Sequence, residues 1–218
     1  MSHLGMPSGR TRSARLGVGA IGFLLIQVLR AVQPASVISA VAEFPWQADL
    51  ARACGADHVF LAQADGYAET AARTGARLYH GRAGNRMLLG GFDIIFDVVG
   101  IPATLTNALR WTRARGTVVL VGVNLHRMNV DLTPVWYQEV NLLGAVGHDI
   151  VSWQGEEIST FDLALRWLQS GDLRTDPLLT HRFPLSAYRQ AFATALDKRQ
   201  ARSIKVAFEG LAASTAEA

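Results

Sequence analysis

Apolar residues along this chain follow two alternating rhythms, and that alternation predicts the fold. Runs of continuous apolar character stand at SVISAV (36–41), DHVFLA (57–62), FDIIFDVVG (92–100) and TVVLVGV (117–123). Runs of this length, rich in Val and Ile and bounded by Gly or polar residues, predict strands covered on both faces. Between them the apolar positions take helical spacing. Ile21, Leu24, Leu25, Val28, Leu29 and Val32 keep the i, i+3, i+4, i+7 rhythm of one helix face. WQADLARACG (46–55) reads as a helix closed by Gly55, and residues 67–74 as another. PATLTNALRWTRARG reads as a helix with Pro102 near its first turn and Gly116 past its end. Strands alternating with helices predict an α/β fold built on a doubly wound parallel sheet.

Past residue 123 the pattern changes. DLTPVWYQEV is expected as a short helix and NLLGAVG as a sixth strand, followed by a helix over 156–170 that ends at Gly171. THRFPL then predicts a strand stub. Ser186 is expected to cap a helix that buries Tyr188, Ala191, Phe192, Ala195 and Leu196, and SIKVAFE to form a last strand. The expected organisation is therefore a leader at 1–12 without periodicity, a sheet domain at 13–150, closing helices and strands at 151–209, and a loose tail at 210–218.

At 218 residues, half of them apolar, the chain can bury a full core. Its formal charge of +3 comes from scattered arginines, with Lys198 and Lys205 the only lysines, so no basic stripe points to a nucleic acid. The single cysteine, Cys54, excludes an intramolecular disulfide and any multi-cysteine zinc site, which fits a reducing cytoplasm. Arg10, Arg12 and Arg15 ahead of LGVGAIGFLLIQVL, with small residues downstream, imitate a secretory signal. Three interrupting glycines and the helical rhythm argue against that reading, and the run is too short for a membrane span.

Candidate chemistry begins at Gly17-x-Gly19-x-x-Gly22, which opens a helix. In this arrangement Gly17 permits a tight turn, Gly19 lets a pyrophosphate approach the backbone, and Gly22 lets helix and strand pack closely. Free N–H groups of the first helical turn, including those of Ala20 and Ile21, then face the phosphates. The motif alone also arises from small-residue packing. Here a second strand follows at the right distance and carries Glu43, 21 residues after Gly22. A carboxylate there accepts both ribose hydroxyls of NAD and repels the 2′-phosphate of NADP; the competing reading is an ordinary solvated glutamate.

Taken together, LGVGAIGFLLIQ, LARACGADHVF, FDIIFDVVG, RGTVVLVGV, VDLTPVWYQEVNLLGAVG, FDLALRWLQSGDL, THRFPLSAYRQAFATALDK and SIKVAF resemble the carboxy-terminal two thirds of the zinc-dependent medium-chain alcohol and polyol dehydrogenases. The resemblance implies a Rossmann domain with sheet order 3-2-1-4-5-6 and a tail that completes a catalytic domain. It implies that Val99, Gly100, Val121, Gly122 and Val123 line the adenosine and nicotinamide sites, and that Lys205 reaches the pyrophosphate, where a point charge suits phosphate. It further implies a homodimer paired through residues 141–146, and NAD as cofactor with NADP not excluded.

Departures from the family pattern shape the functional expectation. The acid usually stands one position earlier, where this chain has Ala42. The strand before Gly17 reads TRSARL, which places Arg12 and Arg15 in a buried position where an unpaired charge is costly. Residues 75–91 form an unusually long connection. No residue before 16 matches the family's zinc-binding amino-terminal domain, and the six histidines lack ligand spacing, so no zinc ligand is expected in this chain. The resulting expectation is the dinucleotide-binding part of an oxidoreductase, truncated and not catalytic alone. A non-catalytic NAD(H)-binding or regulatory module is the alternative, and a methyltransferase a more remote one.

Overall fold

Five of the expected strands join one sheet with a sixth that the hydrophobic pattern concealed. The computed structural model describes residues 11–210, beginning with β1 (Arg12–Leu16), α1 (Ala20–Val32), β2 (Val37–Ala42), α2 (Pro45–Ala53), β3 (His58–Leu61) and α3 (Gly66–Thr74). Next come β4 (Arg77–His80), β5 (Arg86–Leu89), β6 (Phe92–Asp97), α4 (Pro102–Trp111), β7 (Thr112–Leu120), α5 (Thr133–Tyr137) and β8 (Asn141–Gly144). The large sheet is parallel with order β3-β2-β1-β6-β7-β8. Counted over that sheet alone, this is 3-2-1-4-5-6, the doubly wound order expected. The order reverses between β1 and β6, so a crevice opens beyond their carboxyl ends.

One face of the sheet packs Leu16, Ile95 and Val118 against Leu105, Leu109 and Trp111 of α4. The Trp111 indole also lies against the start of α3, where a Cβ added to Gly66 would stand 2.0 Å from the ring. Trp111 is 6% exposed and has little room to withdraw. Gly66→Ala is therefore expected to cost about 1–3 kcal/mol through overpacking. A urea midpoint equal to that of the unaltered protein would refute this.

β1 carries the two expected liabilities. Arg12 is half-buried; its guanidinium donates to the Thr74 carbonyl and pairs with Asp93, whose Oδ2 also accepts the Arg12 amide at 2.7 Å. Arg15 is fully buried, and none of its three guanidinium nitrogens has a hydrogen-bond partner. Its guanidinium carbon stands 5.8 Å from the Phe96 ring centroid. Burial, and secondarily the charge of Arg30, pushes the Arg15 pKa down to about 9. The strand forms nonetheless, because its backbone is paired on both sides, by β2 and by β6.

The structure corrects several local expectations. α1 buries Gly22, Phe23, Ile26, Gln27 and Leu29, whereas Ile21 is 57% exposed and Leu24, Leu25, Val28 and Val32 are only partly covered. This helix is apolar almost all round, so periodicity leaves its rotation open. The rotation follows from Gly22, whose Cα must abut the Gly17 carbonyl. α4 stops at Trp111 instead of running to Gly116. Thr112 is extended and pairs with Phe92, and Arg113 Nε bonds Asp93 at 2.6 Å. Sheet pairing thus overrides helical propensity there.

Residues 75–91 are built around an antiparallel hairpin of β4 and β5, fastened by Gln138 Nε2 donating to the carbonyl of buried Leu88 at 3.1 Å. The expected helix over 156–170 begins later. β9 (Ile150–Trp153) and β10 (Glu156–Ser159) form a hairpin first, then α6 (Thr160–Ser170) follows. Gln154 and Gly155 both take left-handed backbone, the two-residue turn that matches strand twist. Ser159 caps α6 by accepting from the Asp162 amide at 3.1 Å, and Gly171 closes it with φ 83°.

The chain divides after Leu173 into two compact units. The second contains β11 (Leu179–Pro184), α7 (Tyr188–Leu196), α8 (Lys198–Ala201) and β12 (Lys205–Glu209). β11 and β12 pair with each other in parallel. Ser186 lies in a 3-10 turn and does not cap α7, whose cap position is Ala187. Of the five residues expected on its buried face only Ala191 is buried, while Tyr188, Phe192 and Leu196 are 46, 61 and 84% exposed. Two strands about 5 Å apart cover only a narrow stripe of a helix. Residues 1–10 and 211–218, which hold most of the expected leader and tail, lie outside the described residues.

Candidate functional site

The glycine turn sits at the carboxyl end of β1, where three backbone segments interlock. Gly17 has φ 92°, and a Cβ there would fall 2.4 Å from Val99 Cγ2. A Cβ on Gly22 would fall 2.2 Å from the Gly17 carbonyl oxygen. Both glycines are demanded by the protein's own packing. Gly19 is different: a Cβ there would meet nothing within 4 Å. Its side faces open space beside the start of α1.

That space has the chemistry of an anion site. The first helical bond of α1 runs from the Phe23 amide to the Gly19 carbonyl at 3.0 Å, so the amides of Ala20, Ile21 and Gly22 have no acceptor within the helix. No acidic residue stands in the first turn to neutralise the positive end of the dipole. An open cradle lined by free N–H groups fits a pyrophosphate.

The ends of β6 and β7 form the adjoining wall. Gly100, with φ 77°, and Gly122 touch backbone to backbone, since a Cβ on either would come within 2.6 Å of the other strand end. Val99 is 39% exposed and Val123 83% exposed, with Val121 half-buried between them. Holding this wall together is Asp97, fully buried at the last position of β6. Its Oδ1 accepts the amides of Val99 and Gly100, each at 3.0 Å, and its Oδ2 accepts the Thr104 hydroxyl at 3.0 Å. Its main-chain carbonyl accepts the Val121 and Gly122 amides, each at 2.9 Å.

Glu43 follows β2 and is exposed, while the preceding Ala42 is fully buried. Its backbone is fastened on two sides. The Glu43 amide donates to Gln47 Oε1 at 3.0 Å, and its carbonyl accepts from Gln63 Nε2 at 3.1 Å. Lys205 opens β12 in the second unit and is exposed. His148 is exposed beside Phe161, and His181 Nδ1 lies 2.9 Å from the Thr180 hydroxyl. Among the described residues no group of three or more His, Cys, Asp or Glu side chains is placed to hold a metal ion.

The fold thus brings Gly17, Gly22, Val99, Gly100 and Gly122 into contact and leaves Gly19 open beside them. Asp97, Thr104, Gln47 and Gln63 escaped the sequence reading. An acid directly before V-V-G-I-P is a turn signal of the kind that bonds its own downstream amides, and it could have flagged Asp97. Nothing local marks Gln63, which meets Glu43 only through the pairing of β2 with β3.

A family model described as zinc-binding dehydrogenase matches residues 20–170. L-idonate 5-dehydrogenase of Vitis vinifera is 37% identical over 123 residues, covering 56% of this chain and 31% of that protein. L-idonate 5-dehydrogenase (NAD(P)(+)) of Escherichia coli K12 is 27% identical over 209 residues, covering 94% of this chain and 54% of that protein. Among solved structures, a short chain alcohol dehydrogenase of Escherichia coli CFT073 in complex with the cofactor NADH superposes with TM-score 0.70 at 19% identity. It covers 92% of this chain and 52% of that one. The chain spans about half the length, or less, of these proteins.

Proposed function

The chain belongs to the zinc-binding dehydrogenases of the medium-chain alcohol dehydrogenase family, and from that premise we propose that it holds a nicotinamide dinucleotide for hydride transfer to or from an alcohol or polyol. The observation that carries this reading is the contrast at the glycine turn, where Gly17 and Gly22 are packed solid and Gly19 borders empty space. The protein's own packing makes no demand for a missing side chain at that position, whereas close approach of a pyrophosphate does. In this reading the amides of Ala20, Ile21 and Gly22 bind the phosphates and Glu43 takes the adenosine ribose. Val99, Gly100, Val121, Gly122 and Val123 form the wall along adenosine and nicotinamide. When bound, the nicotinamide supplies the hydride chemistry at its C4, and the chain's share is orientation and exclusion of water. No zinc-dependent step is part of the proposal.

Calorimetric titration of the chain with NADH tests it, with saturable binding expected and none at millimolar NADH fatal to it. Because Glu43 is exposed and its backbone doubly fastened, NADH is expected to bind more tightly than NADPH. Glu43→Ala is expected to narrow that preference about tenfold, by removing both the ribose hydrogen bonds and the repulsion of a 2′-phosphate. An unchanged NADH to NADPH ratio would remove Glu43 from the site.

The same proposal includes a homodimer formed through residues 141–146 in a cytoplasmic setting. Among the described residues β8 is an edge strand paired only with β7, and Leu142, Leu143 and Val146 on and after it are 38, 42 and 97% exposed. An open apolar edge is what a two-fold twin would pair with. No helix among the described residues is long and apolar enough to cross a membrane.

A further inference from the structure

We propose that Asp97 is the positioning residue of the crevice, the one side chain that sets the two strand ends against which the dinucleotide lies. The inference rests on the reading of that crevice as the dinucleotide site. Its starting point is a carboxylate at 0% exposure that forms no ion pair among the described residues. Burying a carboxylate is costly unless hydrogen bonds satisfy it. Here both oxygens are used: Oδ1 by the Val99 and Gly100 amides, Oδ2 by the Thr104 hydroxyl.

These bonds act on both walls at once. The side chain bends the chain after β6 so that Gly100 takes its left-handed conformation and lies against Gly122. The main-chain carbonyl of the same residue draws in the amides of Val121 and Gly122 after β7. Val99, held by Oδ1, is in turn the residue against which Gly17 packs. One residue therefore couples the glycine turn and both walls of the crevice. Loops at strand ends are otherwise the mobile part of such folds, and positions there govern ligand affinity through pre-organisation.

Asp97→Asn and Thr104→Val separate this role from a purely structural one. Asparagine keeps one acceptor oxygen for the Val99 and Gly100 amides but replaces the second with a donor. Thr104 can meet that donor only by turning its own proton from Oδ2 to the Ile101 carbonyl at 3.1 Å, and the Val99 and Gly100 amides are left with a neutral amide oxygen as acceptor. Valine at 104 removes the Oδ2 bond together with the hydroxyl's contacts to the Ile101 amide and carbonyl, and leaves both Oδ1 bonds in place. The expected result for Asp97→Asn is a dissociation constant for NADH raised about tenfold, with Thr104→Val raising it about threefold. In the unliganded chain, amide hydrogen exchange of Val99 and Gly100 should accelerate in both variants while that of the β9–β10 hairpin stays constant. A lower urea midpoint with unchanged NADH affinity of the folded protein would make Asp97 merely structural and overturn the proposal. If the unaltered chain binds no NADH, the functional reading fails separately. The exchange rates then still decide: acceleration at Val99 and Gly100 upholds Asp97 as the fastener of the walls, and no change overturns it.

Discussion

Arg15→Met is expected to stabilise the fold by about 1–4 kcal/mol at neutral pH, the range seen when buried ion pairs give way to apolar groups of similar volume. Arg15 lies at 0% exposure in the central strand, with all three guanidinium nitrogens unpartnered. Methionine keeps the length of the aliphatic stem and removes the charge. The Phe96 ring, 5.8 Å from the guanidinium carbon, returns part of the cost as a cation–π contact, worth about 0.5–2 kcal/mol. The direction of the pKa shift has the same cause. Burial lowers the Arg15 pKa from the ordinary arginine range to about 9, so the folded environment penalises the charged form.

The sign of the pH dependence follows. Below pH 9 both folded and unfolded chains carry the Arg15 proton, and the penalty is present in full. Above about 9 and up to the ordinary arginine range, the unfolded chain holds more protons than the folded one, so stability conferred at this position rises with pH. The advantage of Arg15→Met is therefore greatest at pH 7 and shrinks as pH climbs above 9. Other titrating groups are common to both proteins and cancel in the difference. Urea unfolding of the pair at pH 7 and pH 10 measures it; a midpoint for Arg15→Met at or below that of the unaltered chain would show that the guanidinium is solvated.

The second large effect is a contrast between two glycines of one motif. Gly19→Ala should leave stability within about 1 kcal/mol, the scale of a changed N-cap residue, while weakening NADH binding at least tenfold. A Cβ there touches no protein atom, and the backbone at φ −93° accepts any L-residue. Any loss is then a clash with the ligand, where backbone must come close to pyrophosphate. Gly22→Ala should do the reverse in the first instance. Its Cβ meets the Gly17 carbonyl at 2.2 Å, so α1 must shift off β1, at a cost of about 1–3 kcal/mol. NADH affinity falls with it because the cradle is displaced. Equal destabilisation by both substitutions would mean that Gly19 serves packing, and undiminished NADH affinity in Gly19→Ala would remove the phosphate from this turn.

Much of the framework was legible along the chain because continuous apolar runs of strand length have few uses other than buried parallel strands. FDIIFD and TVVL became β6 and β7, and VISAVA became β2. The Gln154-Gly155 hairpin was legible in principle, since a two-residue turn ending in glycine stands between the strands, but the helical spacing of the residues after it extended the expected helix backwards. The β4–β5 hairpin had no such signal. Its stability comes from Leu88, Gln138 and the turn of α3 into it, partners up to 50 residues apart.

By itself the sequence determined the alternation of β2, β3, β6, β7 and β8 with their helices, the glycine turn at the head of α1, and Glu43 just past β2. Each of these depends on local chemistry: apolar period, missing side chains, a charge beside a strand end. Only the tertiary structure decided which glycines serve the protein and which serves a ligand, because Gly17, Gly19 and Gly22 are chemically identical until their neighbours are in place. The same holds for the face α1 buries, for Arg15 left without a partner between β2 and β6, and for Asp97 as the joint of two walls. Those outcomes depend on contacts between segments that are distant in sequence and adjacent in the sheet; for Asp97 the bonds to Val99, Gly100 and Thr104 are local, and only the link from its carbonyl to Val121 and Gly122 needed the sheet.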